Sequence, residues 1–145
     1  LALVHLAVRH LLELGHRKIG YMTFCLHRPF MSMQQRRLDS YHGTLRAAGI
    51  EAPSQWVYDL RGERDIMEKW EDMGYKRTMS WWREGLAESG CTAVLAHNDE
   101  TAIGIIEALG EMGLKVPGDI SVVGFDGTEI AGHFRPRLTT IEVDN

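Results

Sequence analysis

Two short apolar runs limit what this chain can fold into. "TAVLA" at 92–96 and "ISVVGF" at 120–125 are strand-length, bounded by turn signals, and apolar at nearly every position. A run without alternation fits a strand covered on both faces, which is the habit of parallel sheets. Between them lies "DETAIGIIEALGEMG", where Ala102, Ile103, Ile106 and Leu109 repeat at helical spacing. Parallel neighbours need such a crossover, and it is right-handed in nearly all cases.

The same alternation runs through the rest of the sequence. Val4, Val8, Leu11 and Leu12 predict one face of a first helix, with Gly15 at its C-cap. "RKIGYMTF" predicts a strand. "MSMQQRRLDSYHGTLRAAG" predicts a helix with Leu38, Tyr41, Leu45 and Ala48 on one side and Ser32 as its cap. "EAPSQ", broken by Pro53, reads as a connector. "WVYDL" follows as a strand. "EKWEDMGYKRTMSWWREGLAESG" reads as a helix, with Met79, Trp82 and Leu86 at helical spacing, and "LTTIEV" as a last strand. The class is α/β, a mainly parallel sheet flanked by helices.

A length of 145 residues allows one medium domain or two small lobes. A formal charge of −4 argues against a nucleic-acid-binding body, which carries a basic face. Cys25 and Cys91 are too few for a disulfide framework and read as free thiols in a reducing cytosol. No apolar run reaches membrane-spanning length. The His and Cys spacings suit no zinc site, and neither a nucleophile elbow nor a phosphate loop is present. No metal, cofactor or catalytic group is therefore expected. "LALVHLAVRHLLELG" is amphipathic from its first turn and unlike a signal peptide; with no capping residue at Leu1, it reads as part of a larger protein.

Ligands of open parallel sheets bind beyond the carboxyl ends of the strands. Three places qualify: the loop after "YMTF", the "HND" after "TAVLA", and the "DG" after "SVVGF". Asp99 is expected to cap the following helix, its charge suiting the positive helix end. That would leave Asn98, with a donor and an acceptor, available to a ligand hydroxyl. Asp126, before Gly127, is either an Asp-Gly turn or a carboxylate gripping adjacent hydroxyls of a sugar-like ligand.

"TAVLAHNDETAIGIIEALGEMGLKVPGDISVVGFDGTE" with "PRLTTIEVD" resembles the effector-binding core of the lactose-repressor/galactose-repressor family of bacterial transcription regulators. "LLELGHRKIGYM" and "RLDSYHGTLRAAGI" resemble its earlier units, with Ser40 where the family usually has Gly. The resemblance covers nearly the whole chain and is weakest at about 61–85. It implies a type I periplasmic-binding-protein-like fold: two α/β lobes joined by three crossovers, with effector between them. Residues 1–50 would be the second half of an incomplete first lobe, 54–136 most of the second lobe, and 137–145 the third crossover. The DNA-reading head, hinge helix and final helical stretch would lie outside this sequence.

The resemblance also implies effector contacts from Arg37, Asn98 and Asp126. Trp70, before Gly74-Tyr75 with a spacing one residue short, is either an aromatic wall for the effector or ordinary core. Met31 and Met33 are further candidate lining residues. The function implied is sensing of a sugar-like effector by a cytoplasmic regulator that acts as a dimer or higher oligomer, without a membrane partner, and meets DNA only through its head. A periplasmic sugar-binding protein of a transporter shares this fold and is the main alternative; an α/β enzyme is the lesser one.

Overall fold

The computed structural model describes residues 2–24, 32–60, 68–126 and 139–142, with backbone alone for Ala2, Ser32, Asp126 and 139–142. In chain order the elements are α1 (Ala2–Glu13), β1 (Ile19–Thr23), α2 (Ser32–Ala47), β2 (Val57–Asp59), α3 (Trp70–Trp81), α4 (Ala87–Ser89), β3 (Ala93–Leu95), α5 (Asp99–Glu111), β4 (Ser121–Asp126) and β5 (Thr139–Glu142). The strands form one sheet in the order β2-β1-β3-β4-β5, parallel at every pairing. Every residue of β1 and β3 is buried, which for β3 is what its unalternating run requires.

The connections reverse direction once. The chain goes from β1 outward to β2, then back past β1 to β3 and onward to β4 and β5. With right-handed crossovers, the reversal puts α2 on one face and α3 and α5 on the other. The packing agrees, because α1 pairs with α2 while α3 lies along α5. Tyr41 anchors α2, its buried hydroxyl donating to the Ile19 carbonyl at 2.6 Å. Gly20 is bare because the Trp81 ring lies on it; a Cβ there would stand 2.9 Å from Trp81 Cη2.

Two sequence expectations change here. The proposed lobe boundary near 50–54 does not separate two sheets. β1, from the first segment, is hydrogen-bonded between β2 and β3 of the second, and a single core joins Val4 and Tyr41 to Val94 and Ile105. The segment expected as a third crossover supplies β5 to the same sheet. "EAPSQ" is a turn inside a βαβ unit, and a turn and an interdomain linker share the same composition. The apolar face of α3 is also shifted: Met73, Thr78, Trp81 and Leu86 are buried, while Met79 and Trp82 are only half-buried. Residues 82–86 form one π turn, in which the Ala87 N–H donates to the Trp82 carbonyl. The wider turn brings Trp81 and Leu86, five positions apart, to one side, where a regular helix would align 82 with 86.

Candidate ligand-binding site

The reversal in strand order lies between β1 and β3, and the crevice beyond their carboxyl ends is where sheets of this kind bind ligands. Register defines what reaches that edge. Tyr21 pairs with Leu95 and with Val57, and Leu95 pairs with Val123. Counting the same number of residues along each strand brings Phe24, Leu60, Asn98 and Asp126 to one level of the sheet edge.

The crevice holds three aromatic rings. Phe24 follows β1, His97 follows β3, and Trp70 opens α3. Phe24 and Trp70 meet edge to face with centroids 5.3 Å apart. Trp70 and His97 are tilted by 38° at 4.9 Å, and Phe24 and His97 lie 5.7 Å apart. All three are half-buried. Trp70 stands half-buried beside Phe24 and His97 and also packs against the core, a position that fits either of its sequence readings. Phe24 and His97 were not singled out from sequence. Their signal was present: each is the first or second residue past a buried strand, at the edge where ligands bind.

Asn98, and not Asp99, caps α5. Asn98 is the N-cap of α5, in extended conformation, and its Oδ1 accepts from the Thr101 N–H at 2.8 Å and the Thr101 hydroxyl at 2.7 Å. Its amide NH2 makes no hydrogen bond among the described residues. Asp99 is fully buried in the first turn, with its carboxylate against Gly124 of β4. A Cβ at Gly124 would collide with that carboxylate and stand 3.1 Å from the Asp99 Cα. Sequence cannot separate these roles, because both residues cap well and both suit a first turn.

Arg37, in the second turn of α2, is half-buried and forms no hydrogen bond or ion pair among the described residues. Asp126 ends β4, with its backbone paired to Glu142; its side chain lies outside the described residues. Met31 also lies outside them, and Met33 is 60% exposed. Thr23, the last residue of β1, is fully buried, and its Oγ1 has no hydrogen-bond partner among the described residues.

The opposite edge of the sheet is closed. His16 Nδ1 lies 2.7 Å from Thr92 Oγ1, and its Nε2 lies 3.4 Å from Ser121 Oγ. This joins the approaches to β1, β3 and β4. Burial, with the charge of His10 adding to it, lowers the His16 pKa. Both ring nitrogens are engaged, which describes a structural latch. A groove of about 280 Å³ between α1 and α2, lined by His5, Arg9, Leu12, Thr44, Ala47 and Ala48, contains none of the carboxyl-edge residues. Among the described residues no His, Cys, Asp and Glu cluster could hold a metal ion, and no helix is long and apolar enough to cross a membrane. Cys91 is a buried free thiol; Cys25 lies outside the described residues.

A reversing parallel sheet with aromatic side chains at its carboxyl edge has the architecture of ligand-binding α/β domains, and comparison with known proteins gives its family. The periplasmic binding protein-like domain family matches residues 8–145, and the chain belongs to it. The chain is 33% identical over 138 residues to the HTH-type transcriptional repressor PurR of Vibrio vulnificus, covering 94% of this chain and 37% of that protein. It is 36% identical over 140 residues to the lactose operon repressor of Escherichia coli, covering 96% and 34%. Among solved structures, a sugar-binding transcriptional regulator of the LacI family from Escherichia coli, complexed with phosphate, superposes with a TM-score of 0.79 at 29% identity, covering 97% of this chain and 46% of that one. The Lac repressor bound to ONPG in its repressed state gives 0.77 at 34%, covering 97% and 38%. The chain thus spans little more than a third of the length of the curated relatives it matches. These relatives are transcriptional repressors, as the sequence resemblance implied, and they favour a regulator over a transporter component.

Proposed function

We propose that this chain is one effector-binding lobe of a bacterial transcription regulator, and that its carboxyl-edge crevice forms one wall of the effector site. The single observation that carries the reading is the convergence at one sheet edge, beside the strand-order reversal, of Phe24, Trp70, His97, Asn98 and the backbone of Asp126. In this reading a second lobe, supplied by the rest of the protein, closes over the crevice. Arg37 and Asp126 hold the polar groups of a sugar-like effector, the Asn98 amide NH2 adds a donor, and Trp70 offers a ring face to the effector's apolar side. Effector shifts the population between two lobe arrangements, and a helix-turn-helix head responds by gaining or losing affinity for DNA. The protein works in the cytoplasm as a homodimer or higher oligomer, so that two heads address two half-sites. It performs no catalysis.

Asp126→Ala in the intact protein tests the reading. An effector is first found by thermal-shift screening of monosaccharides, disaccharides and nucleobases, then titrated calorimetrically into both proteins. Each charge-assisted hydrogen bond removed is worth about 1.5–3 kcal/mol, so affinity is expected to fall about one to two powers of ten per bond. DNA binding without effector is expected to survive. Near-native affinity would return Asp126 to a turn role and remove the crevice from the effector site.

A further inference from the structure

The three rings at the carboxyl edge are mounted differently. Phe24 follows Thr23, whose carbonyl accepts from the Leu60 N–H at 2.8 Å. His97 follows Ala96, whose N–H donates to the Val123 carbonyl at 2.8 Å. Both residues thus leave backbone that is pinned to a neighbouring strand or its continuation. His97 is also held from its other side, because Asn98 caps α5 through Thr101. Trp70 stands instead on the first residue of α3, a helix whose N-cap, Lys69, is extended and makes no side-chain capping bond. Helix ends fray, and an indole turns about two side-chain torsions, of which the second is soft.

The two sheet-mounted rings fix what the helix start leaves loose. Phe24 meets the indole edge to face, at 86° and 5.3 Å. His97 lies against it at 38° and 4.9 Å, nearer to an offset stack. Phe24 and His97 are 5.7 Å apart and close the triangle. All three separations lie within the favourable range for aromatic pairs, roughly 4.5–7 Å. The partners approach the indole at different tilts, so a rotation that keeps one contact spoils the other. The triangle is also too tight to admit a further ring. A flat ring between two others needs their centroids about 7 Å apart, two layers of carbon contact, and none of the three pairs is so wide.

We propose that Phe24 and His97 are positioning residues, which hold the Trp70 indole in one orientation before any effector arrives. Effector then meets the outside of a ready-made cluster and does not slot between its rings. Both residues act through Trp70. A ring already held loses less freedom when it is covered, and affinity gains by that difference. The consequence for effector affinity rests on the proposed function; the holding of the ring does not.

Fluorine NMR of the full chain carrying 5-fluorotryptophan tests this. Each of the four indoles gives its own resonance, and the one missing from Trp70→Phe belongs to Trp70. In the unaltered chain without effector, the Trp70 line is expected to be single and narrow. Phe24→Leu and His97→Leu keep apolar bulk but no ring, and each should broaden or split that line while Trp56, Trp81 and Trp82 stay as they were. His97→Phe keeps a ring and should keep the single line. A Trp70 line as narrow in both leucine variants as in the unaltered chain would overturn the proposal. So would a broad or split line in the unaltered chain. Broadening of all four lines in both variants would show that the rings hold the core at large, and would overturn it equally. In the intact protein, the saccharide or nucleobase returned by the thermal-shift screen should bind each leucine variant about two- to tenfold more weakly, the cost of ordering one side chain on binding. If the Trp70 line behaves as expected but Trp70→Phe binds that compound normally, the proposed role of Trp70 in the effector site fails and the positioning stands.

Discussion

Gly104→Ala places one methyl group at the tightest approach among the described glycines. On an ordinary exposed helix, Gly→Ala stabilises by up to about 1 kcal/mol. Here the added Cβ would stand 2.6 Å from the Tyr75 nitrogen, closer than real Cβ contacts come, and 3.0 Å from the Glu71 carbonyl carbon, tighter than most of them. The atoms struck are backbone, so no side chain can swing away and α3 must shift as a body. Overpacking of this kind costs about 1–3 kcal/mol, and loosening along the α3–α5 seam puts the cost at the upper end. Against the helix gain, the net loss should be about 2 kcal/mol, or roughly 4–8 °C in Tm for a chain of this size. Urea unfolding followed by circular dichroism measures it. Gly43→Ala is the control: Gly43 lies within α2 with nothing within 4 Å of its virtual Cβ, and the change should stabilise by up to about 1 kcal/mol. If Gly104→Ala is as stable as the unaltered chain, the close approach of α3 and α5 is refuted.

Asn98→Ala should cost about 1 kcal/mol through loss of the α5 cap, seen as a lower urea midpoint, so an affinity loss in that variant cannot be read as lost ligand contact. Asn98→Asp keeps the capping oxygen and removes only the NH2; it should fold normally and weaken effector binding in a calorimetric titration, whereas unchanged affinity would confine Asn98 to capping. His16 has a folded pKa below its ordinary 6.5, so the unfolded chain takes up the proton first. Its contribution to stability is present above about 6.5 and lost as pH falls through the lower folded value. The stability difference between the unaltered chain and His16→Gln should therefore shrink on going from about pH 7.5 to 5.5. The Glu107 contribution runs the other way, lost as pH rises from 4.5 to about 7, and cancels in that difference. Parallel urea-midpoint curves for the two proteins would refute the latch.

Much of the architecture follows from patterns that each stretch carries by itself. The unalternating runs at β3 and β4 called for a parallel sheet covered on both faces, and the periodicity of α1, α2 and α5 placed the intervening helices, because burial imposes its period locally. The edge that carries Asn98 and Asp126 followed from the same alternation. Other features depended on atoms distant in sequence. Whether "EAPSQ" links two lobes or turns within one unit depended on which strands β1 would pair with. Which of two adjacent capping residues faces Thr101 and which faces Gly124 depended on where β4 lies. The face of α3 depended on one π turn. The Phe24–Trp70–His97 cluster joins three separate stretches of chain, and α3 meets α5 closely because Gly74 and Gly104 let two helix backbones touch. Periodicity records how far each residue is from water; it carries no record of which residue is on the other side of the contact, and that is set only when the sheet closes its order.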